Sequence, residues 1–147
     1  MSKRRVVITG LGIVSPVGNS VSNAWENIVA GKSGITRITR FDASIFSSQI
    51  AGEVKDFDIH HYLSVKEARR MDVFIHYGMA AGIQAIKDAG IDDITELESE
   101  RIGVNIGSGI GGLPMIENTD SAYHAAGPRK ISPLFIPSTI INMIAGN

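Results

Sequence analysis

Two short runs of branched apolar residues, each leading directly into glycine, constrain this chain more than any other feature. Val6-Val-Ile-Thr-Gly10 follows a basic start, and Ile102-Gly-Val-Asn-Ile106 leads into Gly107-Ser-Gly-Ile-Gly-Gly112, where four of six residues lack a side chain. Runs of this kind are the pattern of strands buried on both faces, so the sequence predicts strands over residues 5–10 and 101–106 within a parallel α/β sheet. Strands buried on both faces demand helices above and below, and the helical signals are present. Trp25, Ile28 and Val29 fall at i, i+3, i+4, with Gly31 placed to stop a helix in a left-handed conformation. Ser64-Val-Lys-Glu67 is a capping box opening a longer helix, on which Met71, Phe74, Ile75, Met79, Ile83 and Ile86 keep the helical period to Gly90.

Residues 32–63 carry no sustained period and read as a long irregular connection, of a length that is functional or covers something. An acidic linker follows over residues 92–100. Pro114 suits the first turn of a helix, and residues 131–147, with Pro133 and Pro137, end in an apolar helical start. Two strands cannot bury the faces of three or four helices, so the sequence predicts a chain cut short of its full sheet.

At 147 residues, 44% apolar and 20% charged, the chain has the makeup of one soluble domain, and a formal net charge of -1 excludes nucleic-acid or membrane-surface binding through global charge. No apolar stretch reaches the roughly 18 residues of a membrane span, and a cytoplasmic location is expected. The absence of cysteine rules out, within these residues, a disulfide framework, a thiolate metal site and a thiol nucleophile.

A strand, glycines and then a helix is the order of a dinucleotide-binding turn, but neither glycine segment fits one. Ser15 and Pro16 follow Gly10-Leu-Gly12 where a phosphate-binding helix would begin, and no acidic residue ends a further strand after Gly107–Gly112. Close packing is the better account of both. Gly31-Lys-Ser33 lacks the preceding glycine of a phosphate loop, and Ile106 stands where a Gly-x-Ser-x-Gly elbow would need its first glycine. His60, His61, His76 and His124 have no metal-ligand spacing, and no metal site is expected. Lys66, Arg69 and Arg70 share a helix face at i, i+3, i+4, in the turns where cations oppose the helix dipole, only partly eased by Glu67 and Asp72. Arg129-Lys130 is a second basic pair. A solvated face and a docking patch for an acidic partner account equally well for these charges.

Val6 to Gly18, Gly31 to Ile35, Arg101 to Gly112, Gly127 to Pro133 and Ile136 to Gly146, in this order, resemble the start of the elongating β-ketoacyl-acyl-carrier-protein synthases, of the bacterial type II in particular, and the resemblance covers residues 3–147. It implies an α/β thiolase-like fold, of which residues 1–147 would be the N-terminal part, with incomplete αβα layers, in a protein that is usually a homodimer. It implies a decarboxylative Claisen condensation: an acyl group passes from an acyl carrier protein, where phosphopantetheine bears it, to a cysteine, and the carbanion left by decarboxylation of malonyl-carrier attacks that thioester. No cofactor is implied. The nucleophilic cysteine and both catalytic histidines would lie beyond residue 147, so no residue here is catalytic and the chain alone is expected to be inactive.

By the same resemblance, the loop containing Gly109 and Ile110 lies beside the acyl tunnel, with Ile110 as its gate, and Phe135 matches a pocket residue contributed across the dimer interface. Lys66, Arg69 and Arg70, with Arg129 and Lys130, match the carrier-protein docking patch. A neutral alkyl chain would explain glycines that serve no phosphate. The alternatives are a chain-length-factor-like relative with another residue in place of the cysteine, or a non-catalytic module binding carrier protein or nucleotide.

Overall fold

A computed structural model describes residues 4–91, 95 and 99–147, so most of the acidic linker lies outside the described residues. Its elements in chain order are α1 (Val21–Val29), β1 (Ile35–Arg37), β2 (Ile50–Gly52), a 3-10 turn (Ile59–His61), α2 (Val65–Ala68), α3 (Val73–Asp88), α4 (Leu113–Ala126), a second 3-10 turn (Pro128–Lys130), α5 (Phe135–Thr139) and α6 (Met143–Gly146). They belong to two compact units, one of residues 1–58 and 81–92, the other of residues 59–80 and 93–147.

In the first unit, α1 forms where the apolar spacing predicts it. Ser20 caps it, its hydroxyl accepting the Asn23 N–H at 3.3 Å, and Gly31 follows its end at φ 67°. The predicted strand over residues 5–10 does not form. Val6, Val7 and Ile8 have no ladder partners, and Val6 is 86% exposed. A buried parallel strand exists only between neighbours, and no described segment of this unit pairs with this one. The sheet among the described residues lies instead inside the stretch predicted irregular: β1 and β2 pair antiparallel, with Thr36 opposite Ala51. Glu53 ties the turn after β1, accepting from the Thr39 N–H and hydroxyl and from the Arg40 N–H. Those bonds hold its carboxyl below the ordinary glutamate range, the Thr39 hydroxyl foremost.

The first glycine pair packs against a helix. A Cβ on Gly12 would sit 1.9 Å from the Ala81 carbonyl oxygen, and one on Gly10 would sit 2.1 Å from that of Ala85. The amides between and after these glycines are committed to side chains of α3: the Leu11 N–H donates to Asp88 Oδ2 at 2.9 Å and the Ile13 N–H to Gln84 Oε1 at 3.3 Å. Close packing thus accounts for Gly10 and Gly12, and the donors a phosphate would need are already used.

In the second unit, the capping box forms as predicted, with Glu67 reaching back to the Ser64 N–H at 3.0 Å. The helix it opens is not the long one predicted. It ends after Ala68, the chain tightens through i to i-3 bonds from Arg70 and Met71, and α3 starts afresh at Val73. Pro114 stands in the first turn of α4. Residues 101–106 form no strand either, and Val104 is 62% exposed. The core of this unit is small: Ile75 and Ala80 are fully buried, and Gly78 leaves room for Ile144 of α6, which a Cβ there would meet at 2.6 Å.

Gly12→Ala should destabilise the protein by about 1–3 kcal/mol, because the segment must lift off α3 and strain its two side-chain bonds. Gly82→Ala, whose Cβ would meet nothing within 4 Å inside α3, should be neutral or stabilising by up to about 1 kcal/mol. Urea unfolding of the two variants measures both, and equal effects would contradict the close-packing account.

Candidate functional site

The candidate residues lie in the second unit, on three short backbone pieces. The first runs from the end of α2 into the break before α3. Lys66, Arg69 and Arg70 are all exposed, and among the described residues none has a carboxylate within salt-bridge reach. Because α2 has four residues and Arg69 is its C-cap, Arg69 and Arg70 sit at the carbonyl end of that helix, while Lys66 is its second residue. The expected conflict with the helix dipole is therefore absent for Arg69 and Arg70, which stand at the favourable end. Lys66 and Arg69 keep their i, i+3 alignment, while the tightened turn carries Arg70 toward the row of Glu67.

Glu67 forms no ion pair with its basic neighbours; its carboxylate is bonded to Ser64. The Ser64 hydroxyl and N–H both donate to Oε2, and these bonds hold the Glu67 carboxyl below the ordinary glutamate range, the hydroxyl contributing most. Beside them Glu67, Arg70, Met71, Met79, Pro137 and Met143 are among the residues around a cavity of about 270 Å³.

The second piece is the glycine loop, whose two ends differ. Gly111, at φ 87°, and Gly112 press on the segment at Thr139, where a Cβ would fall 2.4 Å from the Thr139 carbonyl oxygen and 2.9 Å from its Cα respectively. The Gly112 N–H donates to that carbonyl at 3.0 Å. At the other end Gly107 and Gly109 have nothing within 4 Å of a Cβ position, and Ile110 is 68% exposed. The Ser108 hydroxyl accepts the Gly111 N–H at 3.2 Å and closes the turn.

The third piece is residues 128–139. Arg129 and Lys130 stand exposed on the 3-10 turn, and Phe135 opens α5. Phe135 borders an open apolar groove of about 340 Å³ with Ile116, Tyr123 and Ile131. Ile110 does not line that groove, so within one chain the predicted gate and pocket residue are not brought together.

The histidines hold structural or surface positions. His76 Nε2–H donates to the Ala68 carbonyl at 2.9 Å, His124 faces Asp120 at 3.4 Å on the exposed side of α4, and His60 and His61 are exposed on a 3-10 turn. No cluster of three metal-ligating side chains occurs among the described residues, and no described helix is long and apolar enough to cross a membrane.

Sequence reasoning underrated Asp72. In the sequence it figures only as a partial offset to the basic residues, yet it is 4% exposed and bonded to three elements of this unit. The available signal was local: an aspartate just before the apolar run Val73-Phe-Ile75 is an N-cap signature.

The sequence profile of the β-ketoacyl synthase N-terminal domain matches residues 3–147. The chain is 59% identical over its whole length to a 3-oxoacyl-[acyl-carrier-protein] synthase 2 of Vibrio harveyi, 58% to that of Vibrio cholerae, and 56% over 99% of its length to that of Coxiella burnetii. It spans 35% of the length of each of these relatives. Among solved structures it resembles a type II polyketide ketosynthase in complex with its acyl-carrier protein, at TM-score 0.78 and 26% identity, over 99% of this chain and 39% of the other. It also resembles the ishigamide ketosynthase/chain length factor, at TM-score 0.76 and 28% identity, over 97% of this chain and 36% of the other. The fold class is thus the thiolase-like one expected from the sequence, although the predicted strands do not form as a sheet in these residues.

A titration of Glu67 by NMR should find its carboxyl midpoint below that of an ordinary glutamate. With the folded value depressed, the capping box contributes stability above the unfolded value of about 4.3 and loses it as pH falls through the folded value. Glu67→Gln should abolish that part of the acid dependence, and an unshifted midpoint would contradict the reciprocal cap.

Proposed function

Since the chain belongs to the β-ketoacyl synthase N-terminal domain family, we propose that it serves as the leading part of a 3-oxoacyl-[acyl-carrier-protein] synthase of fatty-acid elongation. In that reaction an acyl group moves from the carrier's phosphopantetheine sulfur to a cysteine thiolate, malonyl-carrier loses carbon dioxide, and the carbanion so formed attacks the acyl carbonyl as the thiolate leaves. Residues 1–147 contain no cysteine, so on this reading the cysteine and the two histidines would come from the rest of the whole protein. This chain's part is recognition. Lys66, Arg69 and Arg70, with Arg129 and Lys130, would meet the acidic carrier. Gly109 and Ile110 would border the acyl chain, and Phe135 would reach the pocket of the other subunit in a homodimer.

One observation carries the carrier-binding role: the cations at 66, 69 and 70 are exposed and lack carboxylate partners among the described residues, while Glu67, adjacent in sequence, is hydrogen-bonded to Ser64. Unpaired cations held on a capped turn suit an acidic partner without first breaking internal ion pairs. Identity of 56–59% to 3-oxoacyl-[acyl-carrier-protein] synthases favours a condensing role over a chain-length-factor-like one. A nucleotide-binding module is disfavoured because the amides at Leu11 and Ile13 are already bonded to side chains.

Lys66→Glu combined with Arg69→Glu in the complete protein should weaken carrier binding about 10-fold or more at low salt, with the difference shrinking as salt rises. Unchanged affinity would remove the docking role. Ile110→Trp should lower kcat/KM for long acyl chains by about 100-fold and leave the shortest within about threefold. A uniform loss across all lengths, or none, would remove the gate.

A further inference from the structure

The N-terminus of α4 presents a capping problem that its own sequence cannot solve. The first N–H groups of a helix lack intrahelical acceptors, and the N-cap side chain normally supplies one. Here the N-cap is Gly112, and it has to be glycine: a Cβ would lie 2.9 Å from Thr139 Cα and 3.2 Å from Asp72 Cβ. Pro114 has no N–H, so Met115 carries the first-turn donor left in need of a side-chain acceptor. Asp72 supplies it. Its Oδ2 accepts the Met115 N–H at 2.8 Å, while Oδ1 faces the Phe74 N–H at 3.4 Å at the start of α3. The carboxylate thus lies at the N-termini of two helices of 16 and 14 residues, where both dipoles favour negative charge.

The backbone of Asp72 completes the junction. Its N–H donates to the Ser138 carbonyl at 3.3 Å, next to the bond from the Gly112 N–H to the Thr139 carbonyl. The Ser138 and Thr139 hydroxyls both donate to the Phe135 carbonyl, at 2.8 and 2.9 Å, so the turn carrying Phe135 hangs from the same point. On the loop side, Ile110 is one residue from the clamped Gly111, while a Cβ on Gly107 or Gly109 would meet nothing within 4 Å.

We infer that Asp72 is the positioning residue of the acyl pocket: by capping α4 in place of a side chain at 112, it fixes where Ile110 and Phe135 stand and so sets which acyl lengths the complete protein accepts. This rests on the pocket role proposed above for Ile110 and Phe135. Asp72 touches no reacting atom. It acts through the Met115 amide and the 138–139 carbonyls.

The test compares Asp72→Asn and Asp72→Ala with the parent in the complete protein, using three measurements: hydrogen exchange at the Met115 amide, kcat/KM across a series of acyl-carrier substrates from short to long, and carrier affinity. Asp72→Ala should speed Met115 exchange about 10-fold or more and change the ratio of long-chain to short-chain kcat/KM by about 10-fold, with carrier affinity within about twofold. Asp72→Asn, which keeps one oxygen as acceptor, should restore part of both. Faster exchange with an unaltered acyl-length ratio would overturn the inference, as would an equal loss at every length or an Asp72→Asn protein that does not fold. If Ile110→Trp changes the length profile and the Asp72 variants do not, only the role of Asp72 falls. If neither changes it, the pocket itself is misassigned.

Discussion

Much of the structure depends on places where two stretches of backbone come closer than a Cβ allows. In one unit the segment at Gly10 and Gly12 lies against α3, and in the other Gly111 and Gly112 lie against Thr139. Such approach excludes side chains that could satisfy the local amides, so acceptors must come from elsewhere. Both times an acid of α3 or its start provides one: Asp88 for the Leu11 N–H and Asp72 for the Met115 N–H. Glycine and a distant carboxylate therefore act as a pair, and losing either member leaves the other without its purpose.

The same pairing separates these glycine segments from phosphate-binding ones, which they resemble in order. A phosphate loop keeps its amides free and pointed at the anion. At residues 11, 13 and 115 the amides are filled by side-chain oxygens of the protein itself. What remains open is the uncharged tip at 107–110, with Ile110 exposed. Under the proposed function that uncharged tip would face the alkyl chain, and Lys66, Arg69, Arg70, Arg129 and Lys130 would face the acidic carrier.

Features set by a few adjacent residues were legible in the sequence: the Ser64–Glu67 box, the Gly31 and Gly90 stops at positive φ, and Pro114 in the first turn of α4. The two apolar runs were misread because being a strand is a property of neighbours, and among the described residues 6–8 and 102–106 pair with none. β1 and β2 were missed for the opposite reason. Three residues each, they are too short to show alternation, yet their pairing through Ile35 and Gly52 is local enough to form. In the candidate site the exposed cations were legible by type, but which of them share a row was not, because apolar spacing continues through Met71, Phe74 and Ile75 as though α2 and α3 were one helix.

That break has a physical cause in the junction it precedes. In an uninterrupted helix Asp72 would lie three residues after Arg69, on the same face. Arg69 is exposed and Asp72 is 4% exposed, so one face cannot serve both. Ending α2 at Ala68, tightening the chain through Arg70 and Met71, and starting α3 at Val73 turns the carboxylate inward while the arginines stay in water. Periodicity cannot reveal such a turn, since every apolar position before and after it still fits a helix. What reveals it is the requirement at the far end, where Gly112 offers α4 no capping side chain and Asp72, delivered from the start of α3, accepts the Met115 N–H instead.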